Sequence, residues 1–117
     1  MNITNGEIIL AREALQNLIA LRIPAMLAFK LAKLTNKVNV LYQDVELTRV
    51  SLVRQYGVEK EGNFSVEEAS EEDKTKFWKE YVSVLNKEVE LDTETINLPD
   101  DLEVEPSTLM PLVKFME

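Results

Sequence analysis

The chain has 117 residues, 45% of them hydrophobic, and 21 acidic against 13 basic side chains give it a net charge of −8. That suffices for one domain with a modest core, and the apolar and charged fractions are those of a globular chain. With no cysteine there are no disulfides, thiolate metal centres or thiol nucleophiles, and with no histidine the commonest general base and metal ligand are missing.

The charge is unevenly spread. Residues 1–57 hold seven Lys or Arg against four acids (+3), and residues 58–117 hold six Lys against seventeen acids (−11). An acidic chain without interleaved aromatic and basic residues repels phosphates, so direct nucleic-acid binding is not expected. No uncharged apolar run approaches the ~18 residues of a membrane span, and no basic segment precedes an apolar one at Met1. The expected location is the cytosol, with no membrane contact.

Thr4 and Glu7 have the spacing of a capping box, which predicts helix one over residues 5–21. Its broad apolar stripe includes Ile8, Ala11, Leu15 and Leu18. Residues 1–4 read as a short extended segment. Ile23-Pro24 is a corner, because proline disfavours helical geometry in the residue before it and suits a first helical turn. A long helix is then predicted over 24–56. Leu27, Leu31, Leu34, Val38, Leu41, Val45, Thr48, Leu52 and Gln55 recur in it at alternating steps of four and three. Such a helix is roughly 48 Å long. Its first turns, Ala25 to Phe29, are apolar all round, which predicts burial at that end.

Gly57 is a natural stop, expected in the left-handed conformation. Val58 to Val66 reads as a small hairpin or ordered loop with Gly62-Asn63 at its middle. Ser70 followed by Glu71, Glu72 and Asp73 is a second N-terminal cap, and predicts helix three over 71–87. Phe77, Trp78, Tyr81, Val82, Val84 and Leu85 are expected to face inward. Within 89–98, Val89 to Asp92 and Thr95 to Leu98 alternate as two short strands, pairing with each other or with residues 1–4. An acidic connector leads to a terminal helix over 107–116, with Pro111 tolerated near its first turn. The predicted fold is mainly α with a minor β part, a single domain over 1–117. An antiparallel helical pair with one long central helix is joined by a third, aromatic helix and a small β pairing.

The chemistry-bearing patterns are sparse. A nucleophilic triad lacks its histidine base, and Gly6, Gly57 and Gly62 are too scattered for a phosphate loop. The acids from Glu67 to Asp73 lack the alternation and central glycine of a calcium loop. No catalytic, cofactor or metal residues are therefore expected, and the chain reads as non-enzymatic. The candidate partner-binding residues are the acids Glu67, Glu68, Glu71, Glu72, Asp73, Asp100, Asp101 and Glu103, which suit a basic surface of another protein. The alternative is a homodimer. Branched residues at one heptad position and leucines at the other suit a two-stranded coil, with Val45, Thr48, Arg49 and Leu52 as the contact. The off-seam residues Phe29, Val40, Leu47 and Val50 argue instead for packing against neighbouring elements.

The order of these features also resembles a known set. It runs from Ile3-Thr4-Asn5-Gly6-Glu7 through a Lys- and Leu-rich helix ending in Arg54-Gln55-Tyr56-Gly57. Then come Gly62-Asn63-Phe64, an aromatic helix, the run Asn86 to Leu91 and a closing short helix. This resembles small uncharacterised proteins of tailed bacteriophages and prophages. The resemblance implies a phage origin, hence a bacterial host cytosol, and a helical fold with a small β element. It carries no catalytic motif. The two roles in view are binding of a host or phage protein, or assembly into a phage particle by self-association.

Overall fold

The computed structural model describes residues 1–116. Thr4 caps the first helix as its spacing predicts. Its hydroxyl accepts from the Glu7 N–H, while Glu7 accepts from the Thr4 N–H, so two otherwise unsatisfied donors are paired. Helix α1 spans Asn5–Ile19 and ends two residues short of the expected limit. The preceding strand β1, Asn2–Thr4, pairs antiparallel with β4, Glu88–Glu90, in the register Ile3↔Val89. Of the two pairings open in the sequence, the one with the N-terminal segment forms. Residues 95–98 add only an isolated parallel bridge, Ile96 to Met116.

Pro24 caps helix α2, Ala25–Tyr56, and stands just outside it. The inner seam is closed along most of its length: Leu27, Leu31, Leu34, Val38, Val45 and Leu52 are buried. α1 packs on the first half of this seam. Ile3, Ile8, Leu15, Leu18, Leu91, Ile96, Leu112 and Phe115 complete the main core around it.

Two expectations at the ends of α2 are corrected. Its first turns are not enclosed, since Met26 is 70% and Phe29 59% exposed while Leu27 is buried. α1 covers only one side of that end, and among the described residues nothing covers the other. Gly57 is extended (φ −82°, ψ 164°), not left-handed. Glycine is required there by proximity, because a Cβ would collide with the Val53 carbonyl and press on the Ser65 backbone at 3.2 and 3.3 Å. The chain turns directly into strands β2, Val58–Lys60, and β3, Asn63–Ser65. Both positive φ values of the hairpin loop fall on Glu61 (53°) and Gly62 (83°), not on Asn63. A two-residue loop closing Lys60 on Asn63 requires them at those positions.

Helix α3, Glu71–Leu85, is capped by the Ser70 hydroxyl, which accepts from the Asp73 N–H. It ends two residues before the expected Lys87 and packs on α2. The buried Asn5 ties the start of α1 to the end of α3, its amide donating to the Val84 carbonyl at 2.8 Å. The expected single terminal helix is instead a short α4, Pro106–Leu109, running into 3-10 turns over Met110–Phe115. Proline at position 111 removes an N–H from a continuing helix, and the tighter winding accommodates it. The molecule measures 51 × 28 × 22 Å, and its radius of gyration of 17.2 Å exceeds the roughly 13 Å of a compact chain this long. No helix among the described residues is long and apolar enough to cross a membrane.

Candidate functional site

Helix α3 has apolar residues on two stripes, and only one of them faces α2. Phe77 is 5% exposed and stacks on the half-buried Tyr81 with ring centroids 5.7 Å apart. Val84 and Leu85 continue that stripe and are half-buried. With Phe77 turned inward, the residue one step on must turn away. Trp78 is 55% exposed, its ring edge-on to Phe77 at 5.2 Å, and Val82 beside it is also exposed. Glu71, Thr75, Trp78 and Val82 follow at steps of four, three and four on this outward face. The expectation that all six apolar residues of this helix point inward is thus corrected for Trp78 and Val82.

Carboxylates surround the foot of that face. Glu67, Glu68, Glu71 and Glu72 are exposed and Asp73 is half-exposed. Their ion pairs are loose surface contacts: Glu68 with Lys60 at 3.4 Å, Glu71 with Lys74 at 3.6 Å and Glu72 with Lys76 at 3.1 Å. Hydrogen bonding to Glu72 raises the Lys76 pKa. At the end of α2, hydrogen bonding to Glu80 likewise raises the pKa of the Tyr56 phenol.

The second acidic stretch lies elsewhere. Asp100, Asp101 and Glu103 are exposed, while the alternating Leu102 and Val104 pack on the main core. This connector leads into α4, which packs against α1. Glu67 to Asp73 adjoin the hairpin beyond Tyr56, which is about 25 Å along α2 from Asn39, where α1 crosses it. The fold does not merge the two stretches into one face.

The proposed self-association residues also separate. Val45 and Leu52 are buried inside the chain. Thr48 is exposed, its hydroxyl donating to the Asp44 carbonyl at 2.8 Å. Arg49 is held by Glu46 through two hydrogen bonds, at 2.5 and 3.1 Å. That pair belongs to a polar seam in which Arg12 donates to Asn39 and lies 4.2 Å over the Tyr42 ring. Tyr42 in turn donates to Glu46 at 3.3 Å. The Arg49 hydrogen bond lowers the Glu46 pKa, and burial raises that of Tyr81. Glu46 is therefore a charge-paired structural acid, poorly suited to take up a proton near neutral pH.

Among the described residues no three acids converge as metal ligands would. A groove of about 640 Å³ is lined by Glu7, Leu10, Ser107, Met110, Pro111, Val113 and Lys114. A smaller cleft of about 260 Å³ lies between Lys30, Lys33 and Lys37 and the loop Asp92 to Ile96. Comparison with protein-family models, curated proteins and solved structures found no match.

Two surface features escape a reading of the sequence alone, namely the outward Trp78 and the Leu10–Met110–Val113 groove. The first had a signal. Phe77 and Trp78 lie about 100° apart on the helix, too far for both to be buried against one neighbour.

Proposed function

We propose that this is a phage-encoded, non-enzymatic protein that binds another protein through the outward face of α3 and the acids beside it. The observation that carries the reading is Trp78, largely exposed beside Val82 on a helix whose first turn is three carboxylates. Tryptophan is the side chain most often found at the energetic centre of an interface, where it fills a pocket on the partner. Glu67, Glu68, Glu71 and Glu72 supply a negative rim that steers and orients a basic partner surface. Asp100, Asp101 and Glu103 lie too far off to belong to the same contact. The phage origin rests on the order of sequence features, and it points to a host or phage protein met in the bacterial cytosol.

The test is affinity capture from infected or lysogenic host cells with three baits: the wild-type chain, Trp78→Ala, and the Gln variant at Glu67, Glu68, Glu71 and Glu72. The expected outcome is a protein retained by the wild type at low salt, released as salt rises, and lost from both variants. Equal retention by all three baits, or retention insensitive to salt, would sink the reading.

A further inference from the structure

Two further apolar surfaces have no partner among the described residues, and their charges are opposite. The first is the outer stripe of α2, facing away from α1. Met26, Phe29, Val40 and Leu47 are all exposed there, and Lys33 falls between them on the same spacing of threes and fours. Lys30 and Lys33 are exposed along its first half, whereas the exposed Asp44 stands on the same stripe between Val40 and Leu47. Lys37 donates to the Asp92 carbonyl at 2.6 Å, and Lys30 and Lys33 make no ion pair among the described residues, although Asp92 and Glu94 line the cleft on their far side.

The second surface is the groove between α1 and the C-terminal turns. Met110 (73% exposed), Val113 and Leu10 form its apolar floor. Glu7 lines it, and Glu13 and Glu105 line an adjoining cleft that shares Leu10, Ser107 and Pro111 with it. Lys114, the cation lining the groove among the described residues, pairs with Glu7 at 2.7 Å, which leaves Glu13 and Glu105 as the acids outside that pair.

We infer that the basic first half of the outer stripe of α2, from Met26 to Val40, in one copy of this chain docks into the acid-rimmed groove of a second copy. The apolar side chains supply the contact area. Lys33 and its neighbours meet carboxylates instead of other lysines, which a stripe-to-stripe contact would bring together. The two surfaces are made of different residues, so the contact is head-to-tail and each pair of copies keeps one free surface of each kind. It does not involve Trp78 and stands independently of the partner-binding role of α3.

Mixing two blocked variants tests this directly. Phe29→Asp disables the stripe and Val113→Asp the groove; both positions are exposed, and circular dichroism checks that each variant folds. If either loses its helical signal, Phe29→Ser or Val113→Ser takes its place. In sedimentation velocity over a concentration series, the wild-type mass should rise above the 13.4 kDa monomer and fall back as salt is added. Each variant alone should stay monomeric, and an equimolar mixture should form a species of two chains and no larger. Trp78→Ala should associate as the wild type does. A wild type monomeric throughout, a single variant that still self-associates, a mixture that stays monomeric, or loss of association in Trp78→Ala would each overturn the inference.

Discussion

Glu7 has two jobs, and they can be separated. It accepts from the Thr4 N–H in the capping box and pairs with Lys114 across more than a hundred residues of chain. The hydrogen bond from Lys114 is the main reason its pKa lies below the ordinary carboxylate value, with the Thr4 N–H next. Because the folded-state value is the lower one, its stabilisation is present above the unfolded value, near 4.5. It is lost as pH falls through the folded value. Glu7→Gln keeps an acceptor for the cap and removes only the charge. In urea unfolding at about pH 7 the variant should be less stable by under about 1 kcal/mol, as befits a partly exposed pair. The gap should close once the medium is acid enough to protonate Glu7 in the folded chain. A gap of constant size down to about pH 2.5 would show that the ion pair is not its source.

At the scale of elements, α3 makes the sharpest contrast. Phe77 is buried against α2 and Trp78, its neighbour in sequence, is not. Phe77→Ala should cost about 3–5 kcal/mol, as large-to-small changes of buried aromatics do, whereas Trp78→Ala should cost under about 1 kcal/mol. Chemical denaturation of the two variants checks this, and equal losses would place Trp78 in the core. The contrast also marks how far the sequence could be read. Both N-terminal caps were legible because their partners lie three residues away: Thr4 with Glu7, Ser70 with Asp73. The inner seam of α2 was legible because nine positions repeat one spacing. What depended on distant neighbours was not. Which stripe of α3 meets α2, and whether anything covers Met26 and Phe29, are set by where other elements end. Residues 95–98 alternate like a strand, yet Ile96 is engaged by Phe115 and Met116 near the other end of the fold's C-terminal segment. Gly57 shows a subtler limit. Its role as a helix stop was readable, but the reason for glycine was the nearness of Val53 and Ser65.

Taken whole, the molecule is built on one helix that serves two partners in succession. α1 covers the first half of its seam and α3 the second, so the heptad rhythm that suggests a coiled coil is used up within the chain. Val45 and Leu52 are occupied in this way, and the apolar residues left over face outward: Met26, Phe29, Val40 and Leu47 on α2, and Trp78 and Val82 on α3. The fold is 51 Å long but only 22 Å thick, and the contact proposed for α3 and the self-contact proposed for α2 use different residues of it.

The central claim is that α3 presents Trp78 to a protein partner. Trp78 is the only tryptophan in the chain, so its emission reports on that face without labelling. The decisive measurement is its fluorescence as the protein retained by the wild-type bait is titrated in, using a tryptophan-free form of that partner. Burial in the partner's pocket should shift the emission to shorter wavelength with saturation, and Trp78→Ala should weaken binding by at least about 30-fold, the ~2 kcal/mol of an interface hot spot. Saturated binding with unchanged emission and an undiminished affinity in the variant would contradict the account.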